Sequence, residues 1–211
     1  YVTPINIDPE SPVMPISSPA VYSTYLTKAH GTFATLGLAE DTWALNEQVI
    51  DEEAFLKQSW LIFDERKRML WDVLEKTKRG FVTVVFDTTD RISHMFYRYL
   101  DPTHPANAGK DAAQWRDAIE RVYRRMDELL GRVWDDVVED PATCFVVMSD
   151  PGFTNFRRGV NLNAWLRQEG YLFLREGKET SGDWFEAVDW SRTKAFSLGL
   201  TGLFINRKGR E

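Results

Sequence analysis

FVTVVFDTTDRISHMFYR, residues 81–98, is the stretch whose reading decides the fold. Its first six residues, Phe81 to Phe86, are apolar and rich in β-branched side chains, with the length of a buried strand. The polar turn Asp87-Thr88-Thr89-Asp90 follows, and then a segment with helical patterning. Asp90 and His94 stand four apart, so on a helix they share one face. Carboxylate oxygen and imidazole nitrogen are both ordinary zinc donors. The end of a strand is also where open α/β sheets bind their ligands. Two groups alone do not make a metal site, which takes three or four ligands, so a second cluster is required.

A second candidate lies at Thr143 to Met148, TCFVVM, another short apolar run that ends in Ser149-Asp150-Pro151-Gly152-Phe153. Between the two runs lies a long amphipathic helix, expected from Ala112 to Trp134, with Trp115, Ile119, Val122, Met126, Leu129 and Val133 on one face. Strand, helix, strand is a βαβ unit, which predicts a parallel sheet with both acidic turns on one edge. That geometry makes one shared site possible, with Asp90 and His94 at one turn and Asp150 at the other. Arg157 and Arg158 follow the second turn closely, and an arginine there can clamp a phosphate bidentately.

The pattern resembles the alkaline phosphatase superfamily, in particular its type I phosphodiesterase/nucleotide pyrophosphatase-like members. There a D-x-x-x-H element gives two ligands to one metal, and an S-D-H-G turn gives an Asp and a His to the other. DRISH, Asp90 to His94, matches the first element. SDPG, Ser149 to Gly152, matches the second with one departure, since Pro151 stands where the family has histidine. Proline carries no donor atom, fixes its own φ and restricts Asp150 before it. The likeness extends to NFRRGVNLNAWL, residues 155–166, and to the closing GLFINRKGRE, residues 202–211. It implies an α/β fold: a mostly parallel sheet sandwiched by helices, with an alkaline-phosphatase-like core that is incomplete here.

The resemblance further implies a metal-dependent phosphoester hydrolase acting on a small phosphoester or nucleotide. Two divalent ions, zinc by preference or manganese, would serve the intact family site, with Asp90 and His94 on one and Asp150 on the other. The family's nucleophile and a further Asp lie on a strand before this region, and a last metal-binding histidine lies beyond Glu211. Thr88 and Thr89 flank the site, but the motif makes neither the nucleophile. The chain is thus expected to be a fragment, inactive alone and binding one ion or none. The alternative is a non-catalytic relative whose metal site is degraded at Pro151 and which binds phosphoester ligands or partners. A third reading, an unrelated α/β interaction module, would hold if Asp90, His94 and Asp150 proved far apart.

Composition agrees with a folded domain. The 211 residues are 43% hydrophobic and 27% charged, with a net charge of −6. The acidic balance argues against a nucleic-acid surface, which needs a basic stripe, and no apolar run reaches membrane-spanning length. Cys144 is the single cysteine, so no disulfide framework or C-x-x-C site is possible, and its place in a strand predicts a buried core residue. Tyr1 is not an initiator and Glu211 closes a hydrophilic turn, so both ends read as cut. The expected organisation is one partial α/β domain over 1–211, with a proline-rich extended arm at 1–20 and the core at 51–211.

Asp51 to Lys78 is the clearest helix, with acids at its start, bases at its end and Gly80 as a stop. Its stripe of Phe55, Ile62, Phe63, Met69, Leu70 and Val73 is expected to be core. Shorter elements are expected as a helix at Val21 to Leu26, a helix at Asn161 to Glu169, a strand at Tyr171 to Leu174, a helix within Val188 to Leu200 and a strand at Leu203 to Asn206. His104, between prolines in the 101–109 loop, reads as surface, and His30 is discounted as a ligand. The segment LAEDTWALNE, residues 38–47, mixes acids with Trp43 and suggests no mechanism by itself.

Overall fold

Asp51 opens the longest helix, its carboxylate accepting a hydrogen bond from the Ala54 backbone N–H at 2.8 Å. The structure is a computed structural model that describes residues 5–138, 141–200 and 202–209. Tyr1 to Pro4 of the expected arm, and Arg210 and Glu211 of the closing segment, lie outside the described residues. The chain divides into two units, 1–157 and 158–211.

The first unit is helical. Helix α1 spans Val21–His30, α2 Thr42–Asn46, α3 Glu52–Lys76, α4 Thr88–Phe96 and α5 Ala118–Val133. The segment before α1 is irregular, as its prolines dictate, and it is tied to the unit by Thr24 and Thr35, whose hydroxyls donate to the Glu10 and Ile7 carbonyls. Ala112–Trp115 is a separate 3-10 turn ahead of α5, and a π turn, Trp134–Val138, follows it.

Two apolar clusters form the core. In one, Phe55 and Leu56 of α3 meet Ile92, Met95 and Phe96 of α4, then Tyr99 and Ala118 and Val122 of α5. In the other, Phe63 and Leu70 of α3 meet Leu129 and Val133 of α5. Polar ties reinforce the helical layer. Tyr25 of α1 donates to the buried Asp72 of α3 at 2.5 Å, and Lys76 and His30 converge on the same carboxylate. At the other end of α3, Glu52 accepts from Tyr99 at 2.5 Å and pairs with Lys110 and Arg98.

The expected parallel sheet is not formed among the described residues. Residues 81–86 and 143–148 carry no strand pairing, and the two-stranded sheet lies in the second unit. Both segments nonetheless lie on one helical layer. Val84, Phe86 and Phe145 pack on the cluster of Phe63, Leu70, Leu129 and Val133, while Phe81, Val85 and all of Val146, Val147 and Met148 are exposed, so the alternation holds over 81–86 and 143–145 and ends there. Alternation of period two fixes which face of an extended segment is buried, but it does not specify a hydrogen-bonding partner. Cys144 is exposed rather than buried for the same reason, since it points away from the layer that receives Phe145.

In the second unit, α6 spans Leu162–Gln168 and is capped by Asn161, whose side-chain oxygen accepts from Ala164 N–H at 3.0 Å. Gly170 then takes φ 73°, the left-handed conformation that ends a helix and favours glycine. Strands β1, Ala195–Leu198, and β2, Gly202–Ile205, pair antiparallel with Phe196 opposite Phe204. Leu166, Leu172 and Val188 form the small core. Two expectations are corrected here. The Tyr171 to Leu174 strand is reduced to a single bridge, Leu174 to Val188. The helix expected within Val188 to Leu200 is instead a turn and then β1. Asp189 starts that turn by accepting from both Ser191 groups at 3.1 and 2.6 Å, and this local bonding competes with helix.

The Glu52 hub carries a pH signature. Burial would raise its carboxyl, but the hydrogen bonds from Lys110 and Tyr99 outweigh this and hold it down to about 2, against an ordinary 4.5. A depressed carboxyl contributes stability that is present above its unfolded value and is lost as pH falls through its folded one. Acid unfolding of the wild type is therefore expected to include a component between about pH 4.5 and about 2. In Glu52→Gln that component should vanish from Tm-versus-pH curves read by circular dichroism.

Candidate functional site

Helix α4 has one apolar face and one polar face, and the core takes the first. Ile92 and Phe96 are fully buried and Met95 nearly so, which turns Asp90, Arg91 and His94 to the other side. Asp90 Oδ1 lies 3.4 Å from His94 Nε2, as an i, i+4 pair should. Asp90 is about one-third exposed and His94 rather more than half. The second carboxylate oxygen of Asp90 accepts from Arg91 Nη1 at 2.7 Å, so the acid already has a cationic neighbour.

The segment after the second acidic turn runs along α4 and the loop beyond it. Phe153 sets its ring edge-on to the His94 imidazole, centroids 4.8 Å apart, and stacks on Tyr97 at 6.0 Å. Asn155 donates to Asp101 Oδ2 at 3.4 Å. The Phe156 carbonyl meets His104 Nε2 at 2.8 Å, and the Ala106 N–H donates to the other ring nitrogen at 3.2 Å. That second bond requires an unprotonated Nδ1, so in a neutral ring Nε2 carries the proton and donates. Arg157 reaches Asp101 at 3.1 Å and donates to the Thr103 carbonyl at 3.0 Å. Asp101 is held below the usual carboxylate range, first by its hydrogen bonds from Thr103 and then by Arg157.

These contacts show where the structure places the residues singled out in the sequence. His104 is buried, not surface, and acts as a clasp between its loop and residue 156. The flanking prolines hid this, because the partner lies 52 residues away in the sequence. Arg157 spends its guanidinium on Asp101 and Thr103, so the fork suited to phosphate is already occupied. Arg158 is exposed and opens the second unit. Asp150 and Pro151 are exposed. Three residues of extended chain span at most roughly 11 Å, so Asp150 lies within that reach of Phe153, whose ring touches His94. Asp90 and His94 offer donors suited to part of one ion's shell. Among the described residues, however, no three His, Cys, Asp or Glu side chains group in a way that could hold a metal ion.

Glu40 is a buried acid with no sequence signal of its own. It is 2% exposed, and its Oε1 accepts from the Thr88 hydroxyl, at the first residue of α4, at 3.3 Å. Burial pushes its carboxyl up, opposed by hydrogen bonds and by nearby Arg91.

A sequence model described as type I phosphodiesterase / nucleotide pyrophosphatase matches residues 14–208, most of the chain. Neither curated proteins nor solved structures give a significant match. Among the described residues no helix is long and apolar enough to cross a membrane.

The Phe153 contact is testable directly. Phe153→Ala is expected to move the His94 ring proton resonances by loss of the aromatic neighbour, while amides of the α3 core residues Phe55 and Phe63 stay in place in the same NMR spectra. Unmoved His94 resonances would show that the 149–153 turn does not lie on α4 in solution.

Proposed function

This chain belongs to the type I phosphodiesterase / nucleotide pyrophosphatase family, part of the alkaline phosphatase superfamily, and on that footing we propose that it serves metal-dependent hydrolysis of small phosphoesters. Phosphodiesterase or nucleotide pyrophosphatase chemistry is the type the family carries. Asp90 and His94 would hold one divalent ion, zinc by preference or manganese. Asp150 would face a second, with Pro151 leaving that position one donor short. A bound divalent ion supplies Lewis-acid polarisation of a phosphoryl oxygen.

The observation that carries this reading is the contact of Phe153 with His94 at 4.8 Å, which ties the SDPG turn to the helix bearing the DRISH element. The protein's own residues prepare the first half-site. The core face of α4 fixes the direction of Asp90 and His94, and Phe153 limits the rotation of the imidazole. Arg91 neutralises Asp90 until a cation competes for the same carboxylate.

Pro151 favours a second reading, in which the chain binds phosphoesters without turning them over. Both readings are separated by titration with metal and with phosphate. Zinc and manganese binding to this chain by calorimetry is expected at no more than one ion, and Asp90→Asn or His94→Ala should abolish it. Pro151→His should tighten binding about tenfold, which is about 1.4 kcal/mol. Equal binding by wild type and Pro151→His would sink the assignment of residue 151 to the metal centre. Equal binding by wild type and Asp90→Asn would sink the half-site itself. Inorganic phosphate bound by calorimetry in the absence of any metal ion would favour the non-catalytic reading.

A further inference from the structure

Residues 38–47 are chemically rich, and the activity proposed above gives them no work. In the structure they bridge two helices. The Asp41 N–H donates to the Gln58 side chain of α3 at 2.7 Å, and the Asp41 carboxylate caps α2 by accepting from Ala44 N–H at 2.9 Å. Asp41 is thereby fixed on both sides, and Glu40 immediately before it has little freedom. Glu40 enters the interior and meets α4 at its first residue, Thr88, itself 1% exposed. The residue that should cap α4, Asp87, makes no side-chain cap bond. A buried acid from a remote segment thus bonds the side chain of the helix's first residue, at the end where the local cap makes no bond.

A buried carboxylic group is costly to keep unless it is hydrogen-bonded. An apolar side chain would fill the space more cheaply, so stability alone does not explain Glu40. Its location does. The turn it grips, Thr88 to Arg91, carries Asp90, and one turn further lies His94. Burial raises the Glu40 carboxyl, while the charge of Arg91, the partner of Asp90, lowers it and that of Asp87 raises it.

We propose that Glu40 is the positioning residue of α4. Its carboxyl, bonded to Thr88, sets the first turn of the helix and thereby the direction in which Asp90 and His94 present their donors. The proposal rests on the metal reading of Asp90 and His94 and adds the residue that orders them from behind. Glu40 touches neither ligand and contributes none of the coordination.

The test uses Glu40→Ala, Glu40→Gln and Thr88→Val in this chain, with two readouts. Manganese affinity, followed by electron paramagnetic resonance of the free ion, is expected to fall about tenfold in Glu40→Ala and Thr88→Val. It should recover in Glu40→Gln, whose amide oxygen still accepts from Thr88. Amide hydrogen exchange is expected to quicken over residues 91–96 in the first two variants and not in α5, with protection restored in Glu40→Gln. Where wild type binds manganese, unchanged affinity in Glu40→Ala and Thr88→Val overturns the proposal. Failure of Glu40→Gln to rescue overturns it as well. Should wild type bind no manganese, the metal reading fails and exchange decides the positioning by itself: quickening confined to α4 and reversed by Glu40→Gln upholds it, and exchange that is unchanged or uniformly raised overturns it. If Glu40→Ala does not fold, Thr88→Val gives the same decision, because it removes the donor and leaves the acid in place.

Discussion

The packing of α4 between α3 and α5 is the constraint on which the rest of the first unit depends. Ile92, Phe96 and Tyr99 are buried against Phe55 from one side and Val122 from the other. Each such side chain contributes about 1.5–3 kcal/mol by leaving water. A rotation of α4 by one residue position, about 100°, would expose this face and bury Asp90 and Arg91. The direction of the Asp90/His94 pair is therefore a by-product of hydrophobic burial, and no bound ion is needed to explain why the two side chains meet.

Polar groups then fix what burial leaves loose. Glu52 holds Tyr99 and Arg98, immediately after α4, to the start of α3. Asp101, Thr103 and His104 hold residues 155–157 to the loop that follows. Glu40 grips the beginning of α4 through Thr88. The helix is held at both ends by groups from distant sequence positions, and its outer face carries Asp90 and His94.

The motif also shows what is unusual in this chain. Asp90 is already paired with Arg91, so a cation must compete with a guanidinium at 2.7 Å before it can use both carboxylate oxygens. Pro151 adds nothing to the second turn. Arg157 is turned to Asp101 instead of standing free for an anion. Each of these weakens a purely motif-based expectation, and each is a matter of one side chain whose partner the motif does not name.

The sequence by itself determined the long helices and the family. Asp51 and Asn161 mark helix starts in the sequence, and in the structure they cap them. Of the expected stripe, Phe55, Ile62, Phe63 and Leu70 are buried and Met69 and Val73 partly so, and the i, i+4 separation of Asp90 and His94 dictates their meeting. All of this is local chemistry, decided within a few turns of chain. Tertiary structure alone decided whether the extended segments pair, which way Cys144 faces, and that Glu40, His104 and Arg157 serve partners 48, 52 and 54 residues away. Alternation in a strand states a buried face without a neighbour, and a buried acid or histidine is recognisable only once its partner is in place. The physical reason is the same in both cases: a hydrogen bond between remote residues leaves no periodicity in the chain.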